Sequence, residues 1–400
     1  MSQATSLVSL ADVVKPTRPK VKPSNFPDLP FIGLEHVEAH TSRLLDTVPA
    51  HTMKSAAVHF QPGDVLYSRL RPYLNKVVLP DFEGLCSSEF IVLPPNGQIT
   101  GPFLKYLLNS WEFVQFANSL NAGDRPRVDF GQIGPYTFLL PPREKQEHII
   151  DAIETQFARL DDTVAALERA RTRLKRYRAS VLKAACEGRL VPTEDANWPV
   201  QLLGQHIEQI QAGKNVRCIE RPPTMDEVGI VKISAVTWGE FDEQESKTCN
   251  DVSVLRDNLL IQPGDFLISR ANTIELVGAC VIVRDVSLPV MLSDKVLRIT
   301  FGLELDQRWV LHFLQSIMGR HEIESRATGN QNSMRNIGQN RIKEIPIPVP
   351  PIETQHEIIG EIERSLSVVV QLGATVETSL KRAKALRQSI LRLAFSGHLV

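Results

Sequence analysis

Ten consecutive residues concentrate recognition chemistry in the first part of this sequence. Tyr67-Ser68-Arg69-Leu70-Arg71-Pro72-Tyr73-Leu74-Asn75-Lys76 holds three cations, two aromatic rings, a hydroxyl and an amide. Arginine forks onto guanine edges, asparagine onto adenine, and lysine and serine reach phosphate. A related stretch, Ser269-Arg270-Ala271-Asn272-Thr273, lies far downstream. Two further segments carry similar groups: Gly123-Asp124-Arg125-Pro126-Arg127, and Gly329-Asn330-Gln331-Asn332-Ser333-Met334-Arg335-Asn336, an amide-rich run without acidic residues. The predicted contact residues are Ser68, Arg69, Arg71, Tyr73, Asn75, Lys76, Arg125 and Arg127 in the first half. In the second they are Ser269, Arg270, Asn272, Asn330, Gln331, Asn332 and Arg335. A solvated polar turn explains such loops equally well on composition alone.

Signals for bond-making chemistry are missing. No GxxxxGK[ST] run exists for a nucleotide phosphate, and none of the 22 glycines sits two residues from another, so there is no GxG turn. No Asn-Pro-Pro-aromatic segment is present to hold a target base. His36-Val37-Glu38-Ala39-His40 only superficially resembles a zinc-peptidase helix, because the motif needs the glutamate beside the first histidine. No Ser, Cys or His has a partner at sequence level that suggests nucleophilic catalysis. The five cysteines form no CxxC, so neither a disulfide framework nor a zinc site is expected. The sequence predicts a non-catalytic chain with no cofactor or metal of its own.

The elements that position these loops come in two copies. Pro141-Pro142-Arg-Glu-Lys-Gln146 returns as Pro350-Pro351-Ile-Glu-Thr-Gln355, and Ser180 through Val191 returns as Ser389 through Val400. Both matches keep one offset, as a rigid element requires. Upstream, Gln61-Pro62-Gly63-Asp64 and Ser68-Arg69 recur as Gln262-Pro263-Gly264-Asp265 and Ser269-Arg270 at a slightly different offset, so those halves tolerate loop changes. The predicted order is a variable domain (1–142), a fixed segment (143–190), a second variable domain (191–351) and a second fixed segment (352–400).

Each fixed segment reads as one long helix. Ile150, Ile153, Phe157, Leu160, Val164, Leu167, Leu174 and Val181 follow alternating three- and four-residue steps, the period of a coiled-coil seam. Ile359, Ile362, Leu366, Val369, Val376, Leu380 and Ile390 repeat that seam. Proline pairs precede both helices, and Gly188 and Gly397 are stop signals. At ~1.5 Å per residue each rod is roughly 67 Å long, and its one apolar stripe needs a partner, for which the other copy suffices. Arg171 and Arg178 interrupt the first seam within the basic run Arg169, Arg171, Arg173, Lys175, Arg176 and Arg178. A solvated helix face is the ordinary account of such a run, and phosphate or subunit contact is the other.

The variable halves are predicted to be mixed α/β. Val65-Leu-Tyr-Ser68 and Phe266-Leu-Ile-Ser269 follow Pro-Gly-Asp turns and read as buried strands. Phe103 through Val114 and Trp309 through Met318 have helical spacing, with their aromatics in the core.

In this order, and twice, the motifs resemble the DNA-specificity subunit of type I restriction–modification systems. They are Pro-Gly-Asp-(apolar)3-Ser-Arg at 62–69 and 263–270, Pro-Pro-x-Glu-x-Gln at 141–146 and 350–355, and the Gly-x-Leu-Val endings at 188–191 and 397–400. The resemblance covers essentially the whole chain. It implies an α+β fold: two globular target-recognition domains, separated by two long helices that form an antiparallel coiled coil with pseudo-twofold symmetry. Each domain would read half of a bipartite double-stranded DNA site. The coiled coil would dock two modification (methyltransferase) subunits, which bring S-adenosylmethionine. Restriction subunits would bring ATP- and Mg-dependent translocation and cleavage. One departure is that the chain stops at Val400, whereas the first copy continues into Pro192-Thr-Glu-Asp195. An assembly adaptor that touches no DNA, or a nuclease built from scattered carboxylates, are the competing readings.

The composition fits this picture. Forty-five basic against 46 acidic groups give a net charge of −1, which first reads against a DNA binder. That figure averages a basic first rod with an acidic second domain, and excludes only a uniformly basic surface. No stretch approaches 18 consecutive apolar residues and no signal-peptide pattern opens the chain, so a cytoplasmic location without a membrane partner is expected.

Overall fold

The computed structural model describes residues 5–16, 19–120, 123, 125–192, 197–250, 256–331 and 333–396. Asp124, residues 193–195, Asn332 and residues 397–400, all singled out above, lie outside the described residues. The chain divides into two compact units, residues 1–169 with 376–400, and residues 170–375. Each long helix, Arg143–Cys186 and Ile352–Phe395, therefore contributes one end to each unit.

In the first unit, strand β1 (Val65–Ser68) pairs antiparallel with β2 (Phe90–Leu93) and with Val77–Val78. All four residues of β1 are buried, as a strand covered on both faces requires. The turn leading into it places Gly63 at φ +89°, where a Cβ would be strained, and Asp64 accepts from the Gln61 amide at 2.9 Å. Helices α1 (Gly101–Asn109) and α2 (Trp111–Ser119) follow. A single helix over Phe103–Val114 is the expectation from spacing. Instead Ser110 ends α1 in extended backbone, and its hydroxyl accepts from the Phe113 amide to cap α2. The core of this unit joins Phe103, Leu107 and Phe113 to Ile150, Ile153, Phe157 and Leu160 at the start of the first long helix. Ala383, Ile390 and Ala394, near the end of the second, complete it.

The second unit repeats these devices. Strand β3 (Phe266–Ser269) is fully buried and pairs with β4 (Val296–Phe301) and with Cys280–Ile282. Gly264 has φ +92° and Asp265 accepts from the Gln262 amide at 2.9 Å. Helices α3 (Gln307–Gln315) and α4 (Ile317–Arg326) break at Ser316, whose hydroxyl accepts from the Gly319 amide. Here the core joins Trp309 and Phe313 to Val181, Leu182 and Ala185 at the end of the first long helix, and to Ile358, Ile359, Ile362 and Leu366 at the start of the second. In both units the start of one long helix packs beside the end of the other, so the two run antiparallel.

Burial along the seam is graded. Ile150, Ile153, Phe157, Leu160, Val181, Ile359, Ile362, Leu366, Val376, Leu380 and Ile390 are buried, whereas Val164, Leu167, Leu174 and Val369 are half-buried. Arg178, a polar interruption of the seam, donates to Gln315 Oε1 at 2.7 Å. The first long helix ends as its glycine predicts: Gly188 has φ +67°, and the Arg189 amide reaches back to the Ala184 carbonyl.

The glutamine of the Pro-Pro-x-Glu-x-Gln motif joins helix to domain. Gln146 is fully buried; its carbonyl accepts from the Thr100 amide at 3.0 Å, and its amide donates to Gln98 O and Pro141 O at 2.8 and 2.9 Å. Gln355 makes the same three bonds, to Asp306 N, Glu304 O and Pro350 O at 2.9, 3.0 and 2.9 Å. A primary amide is the side chain that offers donor and acceptor together on one plane.

Candidate nucleic-acid interface

The segments nominated separately in the sequence meet in space. In the first unit Arg69 donates its amide to Glu89 O and accepts from Val128 N, both at 2.9 Å, while Arg71 N reaches Pro126 O at 2.8 Å. An isolated bridge links Leu70 to Arg127. The 69–76 and 125–128 segments thus form one surface at the end of β1. In the second unit Arg270 donates to Lys295 O at 2.9 Å and accepts from Ile337 N at 2.8 Å. The short strand Ala271–Asn272 then pairs with Met334–Asn336, itself hairpinned to Thr328–Gln331. Equivalent main-chain bonds of two equivalent arginines therefore hold both loop pairs.

Side-chain direction divides the nominated residues. Ser68, Asn75 and Ser269 are buried and bonded inward: Ser68 Oγ donates to Leu70 O at 2.9 Å, and Ser269 Oγ is directed at Leu276 O. Asn75 Nδ2 donates to Asn109 O and Oδ1 at 3.1 and 2.7 Å. These three shape the loops from behind. Lys76 is half-buried, with Nζ on the Leu34 carbonyl at 2.7 Å. Tyr73, Arg125, Asn330 and Gln331 are exposed. Arg127 pairs with Glu89 at 2.7 Å, and Arg335 Nη1 donates to Gly329 O at 2.8 Å. Asn272 bonds the Thr273 amide through Oδ1 and reaches the Thr237 hydroxyl through Nδ2.

Two features set the first surface apart. Arg69 Nε and Arg71 Nε are buried with no hydrogen-bond partner among the described residues, an arrangement that costs free energy until an acceptor is supplied. Backbone strain also gathers here: Arg71 and Asn75 lie at φ +52° and +46° and bracket the exposed Tyr73, and His40 and Ser42 lie at φ +66° and +58° beneath them. The His40 amide bonds the Leu74 and Asn75 carbonyls, and Ser42 contacts Asn109, which clamps Asn75. Strain of this kind persists only where neighbours over-determine it, and it clusters at functional sites. The second surface has its own backbone demand. Gly329 sits at φ +137° with Met334 O where a Cβ would stand, so the hairpin closes only with glycine.

Several participants carried no sequence signal as contact positioners. Glu89, Asn109 and Thr237 are brought in by tertiary folding. The two clamp glutamines were visible as a repeated motif but not as a joint. Among the described residues no group of three or more His, Cys, Asp or Glu is placed to hold a metal ion, and no helix is long and apolar enough to cross a membrane.

Comparison with known proteins agrees with this geometry. The family described as Type I restriction modification DNA specificity domain matches residues 231–368. The type I restriction enzyme EcoKI specificity subunit of Escherichia coli K12 is 27% identical over 320 residues, which cover 77% of this chain and 68% of that one. Over residues 231–368, then, the chain is similar to the type I DNA-specificity family. A second relative, the EcoEI specificity subunit of Escherichia coli, is 28% identical over 54% of this chain but only 40% of its own length. Among solved structures, a chain from a study of complex assembly and conformational transition in a type I R-M system aligns over 100% of this chain and 99% of its own, at TM-score 0.75 and 19% identity. The HsdS subunit from Thermoanaerobacter tengcongensis aligns over 99% and 97%, at TM-score 0.52 and 20% identity. These likenesses establish that the fold of the specificity family extends over the whole chain.

Proposed function

We propose that this chain is the sequence-reading subunit of a type I restriction–modification complex, each unit reading one half of a bipartite duplex site. One observation carries the reading: two arginine-bearing surfaces, different in their other side chains, hang on the same main-chain bonds at Arg69 and Arg270. That is what two domains need in order to read different sequences from one scaffold. The antiparallel long helices fix the spacer between half-sites and offer the surface on which two methyltransferase subunits dock. Those partners supply S-adenosylmethionine and the base chemistry; restriction subunits supply the ATP- and Mg-dependent steps. The chain itself specifies and does not catalyse, and it works in the cytoplasm, where the DNA is.

The test is methylated-site mapping with the chain expressed beside its modification subunits. Alanine at both Arg69 and Arg71 should relax one half-site and leave the other intact, and alanine at Arg270 should do the converse. Each lost bidentate contact is worth about 1–3 kcal/mol of discrimination. Unchanged affinity and unchanged methylated sites in both variants would make the chain an adaptor. A four-residue insertion in each long helix should lengthen the rods by ~6 Å and widen the spacer by about two base pairs.

A further inference from the structure

Two cysteines that are distant in sequence stand opposite each other in the second unit. The strand Cys218–Ile219 pairs antiparallel with Ser246–Cys249, and the register places Cys218 against Cys249. The Asn250 amide donates to Arg217 O at 3.4 Å, while the Cys249 amide turns away to Val228 O at 2.8 Å. A bond from the residue after one cysteine to the residue before the other marks a non-hydrogen-bonded pair. In such pairs the Cα atoms are ~4.5 Å apart and the side chains closest. Directly opposed residues project from the same face of the sheet, here toward Val216, Val228 and Met291. A separation near 4.5 Å falls inside the range of roughly 4.4–6.8 Å that a disulfide spans.

The two thiols differ in a useful way. Cys218 is half-exposed and is the one cysteine of the five that is not buried. Its Sγ lies 3.3 Å from the Val216 carbonyl. Cys249 is buried, and burial followed by the adjacent Cys218 thiol pushes its pKa up to about 11. Cys86, Cys186 and Cys280 are buried elsewhere in the two units.

We propose that Cys218 and Cys249 form a dithiol modification site that closes to an intramolecular disulfide on reaction with a low-molecular-weight disulfide. The Cys218 thiolate attacks one sulfur of the reagent, RSSR, forming a mixed disulfide and expelling RS⁻, which takes up a proton. Cys249 then loses its proton to water, attacks the Cys218 sulfur and expels the second RS⁻. Two protein thiols are oxidised and one RSSR is reduced to two RSH. Cys218 is the accessible attacking group, and the protected Cys249 resolves. Because burial keeps the Cys249 thiol mostly protonated near neutrality, resolution accelerates as pH rises above 7. The segment closed by this bond carries Thr237, which backs Asn272 of the second surface, so the crosslink braces that surface from behind.

The experiment treats the full chain with oxidised glutathione under native conditions, followed by intact mass, thiol counting and peptide mapping. The expected product has lost two hydrogens and two thiols, yields a crosslinked peptide joining Cys218 to Cys249, and reverts with dithiothreitol. Cys249→Ser should stop with one glutathionyl group on residue 218, and Cys218→Ser should not react at either position. A wild-type chain that keeps its glutathionyl group without resolving overturns the proposal, as does a chain whose Cys218 stays reduced or whose crosslink forms only after denaturation. Far-ultraviolet circular dichroism and urea unfolding of both serine variants separate loss of fold from loss of reaction. The outcome does not depend on DNA reading, so its failure would leave the proposed function untouched.

Discussion

The two candidate recognition surfaces share their attachment and differ in how their tips are stiffened. In the first unit the tip is a tight knob, Arg71 to Asn75, whose ends lie in left-handed backbone and whose amide is clamped by Asn109. In the second the tip is a small sheet, where Ala271–Asn272, Met334–Asn336 and Thr328–Gln331 pair edge to edge. The first shape uses buried side-chain hydrogen bonds to hold strained φ values; the second uses main-chain pairing and one obligatory glycine. Both carry arginine, and the second adds the exposed amides of Asn330 and Gln331; the first depends on side-chain identity at 75 and 109, whereas the second tolerates change wherever the pairing survives. Divergence of reading without divergence of scaffold follows from that separation.

The glutamine joints are where the two units are most alike. Gln146→Leu or Gln355→Leu leaves one buried amide and two carbonyls without partners, at about 1–3 kcal/mol each, so each should destabilise its own unit by about 4 kcal/mol. Urea unfolding followed by tryptophan emission checks this, since Trp111 reports the first unit and the buried Trp198–Trp309 pair the second. Very unequal losses would mean that the two joints are not equivalent.

The clamped asparagine is where they differ most. Asn75→Ala removes buried hydrogen bonds and puts a Cβ without local amide support at φ +46°, which together should cost about 2–3 kcal/mol. Asn75→Gly relieves the backbone part and should recover about 1 kcal/mol. Methylated-site mapping should then show one half-site relaxed and the other unchanged. If both half-sites degrade together, the knob is not the local device described here.

A smaller effect separates the units by pH. His312 on α3 is buried, and desolvation, then the charges of Arg178 and Arg308, hold its pKa down at about 4. The equivalent place in the first unit is Tyr106, which donates to Glu154 Oε1 at 3.2 Å and does not ionise in acid. Because the folded-state pKa lies below the ordinary 6.5, the unfolded chain takes the proton first. The stability of the second unit is therefore complete above about pH 6.5, falls as pH drops toward 4, and levels off below that. Between pH 6.5 and 5 the loss should be about 2 kcal/mol, visible in Trp198–Trp309 emission and flattened by His312→Gln. An equal loss in the first unit would assign the acid sensitivity elsewhere.

Sequence reading reached what periodicity and repetition encode. The long helices follow from a seam that recurs at constant offset, and the buried strands from apolar runs behind Pro-Gly-Asp turns. The breaks at Ser110 and Ser316 escaped it because a serine in an apolar helical pattern looks like a surface position; only the extended backbone reveals a cap. Nominating Ser68, Asn75 and Ser269 as contacts shows the same gap, since a polar residue type carries no direction. The meeting of 69–71 with 125–128, and of 270–272 with 334–336, depends on strand pairing across long stretches of chain, which no local pattern announces.

The clamps made by Gln146 and Gln355 have a consequence for exchange. Every partner of both amides is main chain, and the residues that supply those groups differ between copies: Gln98 and Thr100 in one, Glu304 and Asp306 in the other. A fastening that reads only the peptide backbone is indifferent to the side chains of whatever it fastens. Foreign recognition domains spliced in front of either Pro-Pro pair would meet the same socket. Each joint would therefore hold any domain that offers the same two main-chain groups before its Pro-Pro pair.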